Sequence, residues 1–182
     1  HELPTIKDIA TVKACEGDIA TLHAEKESGE GTFQYIWDNS STVLTGEYIY
    51  PVLNSDMTFT VHAVDGNNCE SQPKTAMALL DSKPKAIFTE PSVCENKDAT
   101  VTFSDKNGDA INKLQLLGKD AVMGNAITFE SNTETKTYNL TIYGNNGCQS
   151  DTFVTVNVEK NPVISFIPAT DDFSSQMCVG DE

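Results

Sequence analysis

Apolar residues along this chain alternate with polar ones, and no stretch holds a 3.6-residue period. In the first half the alternation runs through Ala20-Thr21-Leu22-His23-Ala24, Phe33-Gln34-Tyr35-Ile36-Trp37, Tyr48-Ile49-Tyr50, Phe59-Thr60-Val61-His62-Ala63 and Thr75-Ala76-Met77-Ala78-Leu79. In the second half it runs through Ala99-Thr100-Val101-Thr102-Phe103, Leu114-Gln115-Leu116, Ile127-Thr128-Phe129, Tyr138-Asn139-Leu140-Thr141-Ile142 and Phe153-Val154-Thr155-Val156-Asn157-Val158. Period-two segments with threonine on the outer phase predict antiparallel strands buried on one side. About seven per half predicts an all-β chain of immunoglobulin-like antiparallel sandwiches. Asp65-Gly66-Asn67-Asn68 and Gly144-Asn145-Asn146-Gly147 read as tight hairpin turns, being rich in residues that tolerate positive φ.

The pattern is duplicated. A shift of 79 positions carries Cys15 to Cys94 and Cys69 to Cys148. Taken without gaps, the same shift lays Leu22 on Val101, Trp37 on Leu116, Tyr50 on Phe129, Phe59 on Tyr138 and Val61 on Leu140. Cys178-Val179-Gly180-Asp181-Glu182 echoes Cys15-Glu16-Gly17-Asp18 and reads as the opening of a third repeat. Pro4, Pro84 and Pro162 stand ahead of the first cysteine of each repeat, where proline suits a stiff junction and the entry to an edge strand. The expected domains are residues 1–82, 83–160 and a truncated 161–182.

Domains of roughly 80 residues bury a modest core and are often stapled. Four cysteines can pair in three ways, and the repeat symmetry favours one internal disulfide per repeat, Cys15–Cys69 and Cys94–Cys148. Each bridge would close a loop of about 55 residues and contribute on the order of 4 kcal/mol. Cys178 is unpaired on this scheme, its partner expected in a missing repeat, unless it is a free thiol. Zinc is disfavoured because the cysteines stand alone. Bridges imply an exported protein.

In its Cys-x-Gly-x-x-x-Thr-Leu opening the chain resembles the Ig-like and PKD-like tandem repeats of large Bacteroidetes-type surface adhesins. Repeat one carries Cys15, Gly17, Thr21-Leu22, Tyr35, Trp37, Phe59-Thr60-Val61, Ala63, Asp65 and Cys69; repeat two keeps Cys94, Thr100-Val101, Tyr138 and Asn146-Gly147-Cys148, with Leu114 and Leu116 for the Tyr/Trp pair. The resemblance implies export, often by the type IX route, and display on gliding or attachment adhesins at the bacterial cell surface. It implies no activity, since such repeats also pad secreted enzymes.

The charge excludes some partners. Twenty-seven acidic residues against 12 basic ones give a formal charge of −15, and the basic residues are all lysine. Without arginine the chain lacks the preferred bidentate phosphate reader, and its sign repels nucleic acid and anionic membranes. No apolar run is long enough to span a bilayer, so no membrane insertion is expected. Catalytic motifs are missing, so no enzyme is expected. His1 stands at the chain start, and His23 and His62 take the outward phase of strands expected on opposite sheets.

Asp105-Lys106-Asn107-Gly108-Asp109 offers alternating oxygen ligands around a glycine, so Asp105, Asn107 and Asp109 form a candidate calcium loop; an ordinary Asx-rich turn is the competing reading. Trp37, Tyr35, Tyr48 and Tyr50 are placed in the core, with no exposed aromatic row. The expectation is therefore a non-catalytic structural or adhesive stalk whose partners are neighbouring repeats of the same chain. The alternatives are a glycan- or protein-binding module and an accessory region of a secreted hydrolase.

Overall fold

The computed structural model describes residues 3–164. His1, Cys178 and all but the first four residues of the expected third repeat lie outside the described residues.

Nine strands make up the first sandwich. They are β1 (Thr5–Ile6), β2 (Val12–Cys15), β3 (Leu22–His23), β4 (Lys26–Ser28), β5 (Gln34–Asp38), β6 (Val43–Thr45), β7 (Tyr48–Ile49), β8 (Met57–Val64) and β9 (Lys74–Asp81). One sheet has the order β2-β9-β8-β5-β6, and the pairs β1-β4 and β3-β7 form the layer opposite. The second sandwich repeats this order. Its strands are β10 (Ala86–Ile87), β11 (Ser92–Cys94), β12 (Lys97–Thr102), β13 (Ser104–Asp105), β14 (Ile111–Leu116), β15 (Ala121–Met123), β16 (Ala126–Asn132), β17 (Lys136–Gly144) and β18 (Gln149–Glu159). Its sheet runs β11-β18-β17-β14-β15, with β10-β13 and β12-β16 opposite. The chain is thus two tandem immunoglobulin-like sandwiches, antiparallel except where β2 joins β9 and β11 joins β18 in parallel.

Each of the ten alternating segments overlaps a strand, but nine strands stand in each half where about seven were expected. The excess comes from two splits. The first strand of each sandwich changes sheets, so β1 pairs β4 while β2 pairs β9. In the second sandwich Pro91, which has no N–H to donate, lies between the two pieces. The next strand is also divided: β3 pairs β7 and β4 pairs β1.

Two hydrophobic clusters fill the sandwiches and share no residue. In the first, Leu22, Trp37, Phe59, Val61 and Ala63 are fully buried, as their phase requires. Trp37 packs edge-on against Phe59, centroids 6.4 Å apart, and its Nε1 donates to the Gly46 carbonyl at 2.8 Å. The ungapped overlay of the halves fails at several strands, β1, β6, β7 and β9, and most visibly at β7. Leu22 pairs with Ile49, and its counterpart Val101 with Ile127, so the offset there is 78 rather than 79. Tyr50 therefore does not correspond to Phe129. Ile49 is the buried residue, and Tyr48 and Tyr50 face outward at 45% and 61% exposure, not inward as expected.

Both predicted hairpin turns form, between β8 and β9 and between β17 and β18, with Asn68 at φ 60° and Gly147 at φ 85°. Outside the first core, Lys74 Nζ lies 2.6 Å from Asp8 Oδ1 and Lys7 Nζ 2.6 Å from Glu25 Oε1. The hydrogen bond and charge of Lys74 hold the Asp8 carboxyl below its ordinary pKa.

Trp37→Ala is expected to destabilise the first sandwich by about 3–5 kcal/mol. Hydrogen exchange should quicken at Val61 and Ala63 and stay slow at Ile142 and Val156; acceleration in both halves would contradict separate cores. A group with a depressed folded pKa stabilises above its unfolded pKa and loses that contribution as pH falls through the folded value. The stability deficit of Asp8→Asn should therefore be small near neutrality and vanish once pH falls below the ordinary carboxylate range.

Candidate functional site: the junction between the sandwiches

The expected disulfide pairing is corrected by strand register. Cys15 lies opposite Asp81, the last residue of β9, whereas Cys69 lies in the turn that leads into β9 at Lys74. An eight-residue strand spans roughly 26 Å, and a disulfide needs its Cα atoms within about 7 Å. The second sandwich repeats the geometry. Cys94 lies opposite Glu159, at the end of the 11-residue β18, and Cys148 immediately precedes that strand. Neither internal bridge can close. Cys15 is instead bonded to Cys148, with Cα atoms 5.6 Å apart and 133 positions between them in sequence. Among the described residues Cys69 and Cys94 are free thiols, the second of them exposed.

The bridge joins the end of the first sandwich to the turn of the second. Between β9 and β10 the chain has only Ser82-Lys83-Pro84-Lys85. This short linker brings the end of β9 against the β17–β18 turn. Asn146 fixes that turn, its Oδ1 accepting the Cys148 N–H at 3.0 Å, while its Nδ2 donates to the Ser82 carbonyl at 2.9 Å. The Ser150 hydroxyl donates to the Pro84 carbonyl at 2.5 Å. The Lys85 N–H donates to Asp105 Oδ1 at 2.5 Å, and the Lys85 carbonyl accepts from the Lys106 N–H at 2.8 Å. The Ser82 hydroxyl donates to Asp109 at 3.2 Å, and Lys83 reaches Asp18 at 3.3 Å. Each neutral bond contributes about 1 kcal/mol. Together with the covalent bridge they hold both sides of the linker, and a polar cleft of ≈ 470 Å³ lies between Cys15, Asp18, Lys83 and Ser150.

The calcium candidates lie beside this junction. Asp105 is buried and spends one carboxylate oxygen on the linker; its Oδ2 is buried without a partner. Asp109 faces Ser82, and Asn107 is in the exposed turn. Among the described residues no group of three or more His, Cys, Asp or Glu is placed to hold a metal ion. His23 and His62 fall on strands of opposite layers, as expected. His23 stacks on Tyr48 at 4.2 Å, and Tyr48 is nearly parallel to Tyr50 at 6.5 Å. This exposed ring series is the row that period counting missed, because the one-residue slip at β7 reverses which face Tyr48 and Tyr50 take. Trp37 and Tyr35 are in the core, as expected.

No family model and no curated protein matches the chain. Solved structures similar to it include the I9–I11 tandem from titin, at 15% identity and a TM-score of 0.48, covering 87% of this chain and 66% of that one. Fibronectin(III)-like modules of Clostridium thermocellum CbhA share 14% identity at a TM-score of 0.40, over 87% of this chain and 95% of that one. The SGBP-B protein of a Bacteroides ovatus mixed-linkage glucan utilization locus, solved with a mixed-linkage heptasaccharide, shares 12% identity at 0.36, over 86% and 48%. The fold itself rests on the strand order and register given above. It is consistent with a non-catalytic module, and the disulfide fits an extracellular protein. Among the described residues no helix is long and apolar enough to cross a membrane.

The bridge can be tested by single substitutions. Cys15→Ser and Cys148→Ser should lower stability equally, by up to about 5 kcal/mol on the chain-entropy account of a loop this long. Cys69→Ser and Cys94→Ser should each lie within about 0.5 kcal/mol of the parent. Internal bridges would instead make Cys69→Ser match Cys15→Ser and Cys94→Ser match Cys148→Ser.

Proposed function

We propose that this chain is a load-bearing stalk segment, non-catalytic and part of a large exported surface protein built from tandem repeats. The observation that carries the reading is the Cys15–Cys148 bond across the junction. Force applied along the chain enters through β1 and β2 and leaves through β18. The bond passes it directly from Cys15 to Cys148, so the residues between them are bypassed. Their contour, on the order of 450 Å if extended, is unavailable to the load. An internal bridge would have limited extension within one sandwich only. The bridge between sandwiches limits it across both and also fixes the bend at the linker. The resemblance to Bacteroidetes-type adhesin repeats agrees with this role and suggests a bacterial surface.

A binding module is the second reading, and one observation favours it. Tyr48 and Tyr50 are exposed and nearly parallel on one face, which suits stacking on a sugar or a flat partner surface. Its range is narrow, since the 4.2 Å stack covers one face of Tyr48 with His23. Saturable glycan or protein binding that Tyr50→Ala abolishes would support this reading.

Pulling the protein by its two ends in a single-molecule instrument tests the stalk. Without reductant, no extension step should exceed about 160 Å, the contour of the residues outside the bridge. With reductant, two steps on the order of 250 Å each should appear, the contour of about 80 residues apiece. Long steps without reductant would contradict the load path.

A further inference from the structure

The two free thiols occupy the same positions in the repeat as the two bonded ones. Cys94 is the counterpart of Cys15, and Cys69 the counterpart of Cys148. The likeness extends to the backbone. Cys15 lies opposite the last residue of β9, and the next N–H, of Glu16, donates to the Asp81 carbonyl at 3.1 Å. Cys94 lies opposite the last residue of β18, and the Glu95 N–H donates to the Glu159 carbonyl at 2.9 Å. Two residues on, Gly17 and Asn96 both take positive φ, 79° and 64°.

The turn cysteines match as closely. The Cys148 carbonyl accepts from the Gly144 N–H at 2.9 Å, and the Cys69 carbonyl from the Asp65 N–H at 3.0 Å. Each cysteine N–H is held by a turn side chain, Asn146 Oδ1 at 3.0 Å and Asp65 Oδ1 at 2.9 Å. The residue before each, Gly147 and Asn68, has positive φ, 85° and 60°.

From this we infer that Cys69 and Cys94 are the two open halves of the staple seen at Cys15–Cys148. The partner of each is the cysteine of a further sandwich of this repeat class, docked head to tail: a turn cysteine for Cys94, a strand-end cysteine for Cys69. The two lie at opposite ends of the tandem. Cys69 is at the turn end of the first sandwich and Cys94 at the strand end of the second, so they do not meet within one chain. A contact between unlike ends leaves a free end of each kind and, unless its rotation closes a ring, generates an open array. The array is then bonded across every junction, and the stalk reading extends from two sandwiches to many; it rests, as that reading does, on the Cys15–Cys148 bridge.

Chemically, each closure is thiol–disulfide exchange with a disulfide donor such as oxidised glutathione. One thiolate attacks the donor, releasing a glutathione thiolate and forming a mixed disulfide. The second cysteine thiolate attacks that mixed disulfide and releases the second glutathione. Two protein thiols are oxidised and one glutathione disulfide is reduced to two thiols.

The test uses copies of this chain as each other's next sandwich, all carrying C178S to remove the remaining thiol. One variant adds C69S and keeps Cys94; the other adds C94S and keeps Cys69. Each is incubated alone and mixed with the other in a glutathione redox buffer, and dimers are separated without reductant and mapped by mass spectrometry. The expected result is a Cys94–Cys69 heterodimer about tenfold above either homodimer, the bias that one or two junction hydrogen bonds supply. The C178S chain, with both thiols present, should form a series of oligomers linked through Cys94–Cys69; it leaves both connectors in place should the double variants misfold.

Heterodimers at the statistical level, dimers through like cysteines, or monomers throughout would overturn the inference. The same maps report the Cys15–Cys148 peptide separately. If that peptide is intact while head-to-tail linkage fails, the array is wrong and the two-sandwich load path stands.

Discussion

A disulfide closes only when two Cα atoms come within about 7 Å, and along a strand that limit is passed after two residues. In this chain the cysteines of each repeat mark the two ends of its last strand. Cys69 precedes β9 and Cys15 lies beside its final residue; Cys148 precedes β18 and Cys94 lies beside its end. The sulfurs of one sandwich are therefore kept apart by its own sheet. A short linker turns that separation into a connection, because the strand end of one sandwich is where the turn end of the next arrives.

The junction works because several weak contacts agree with one strong one. Ser82 and Pro84 offer their carbonyls to Asn146 and Ser150, and Asp105 takes the Lys85 N–H. Proline contributes by restricting φ where the chain must leave one sheet and enter another. None of these bonds alone would fix the angle between two sandwiches. With the sulfurs joined, the orientation is set by groups on both sides of the linker, and the hydrogen bonds form without a further loss of chain freedom. On the proposed reading, a stiff tandem is the mechanical consequence.

Much of the fold was legible from period-two patterning, because one buried face requires it. Trp37, Phe59 and Val61 fall in the core for that reason. The short strands were not legible: β1, β4, β10 and β13 hold two or three residues each, too few to show a period. The slip at β7 was hidden for a related reason. Tyr-Ile-Tyr is apolar in either phase, so only the pairing of Ile49 with Leu22 decides which face is buried. The cysteine frame was legible as a repeat but misread as a pairing. Repeat symmetry is satisfied equally by bonds within units and by bonds from each unit to the next, and only the register of β2 on β9 separates the two. Asn146 and Ser150, which clamp the linker, carried no signal beyond ordinary turn composition.

The most direct test of this account is a peptide map of the intact protein, alkylated and digested without reductant. The account predicts a linked pair of peptides containing Cys15 and Cys148, with neither Cys69 nor Cys94 linked to either of them. Linked Cys15–Cys69 and Cys94–Cys148 peptides would contradict it, and with it the load path that bypasses both sandwiches.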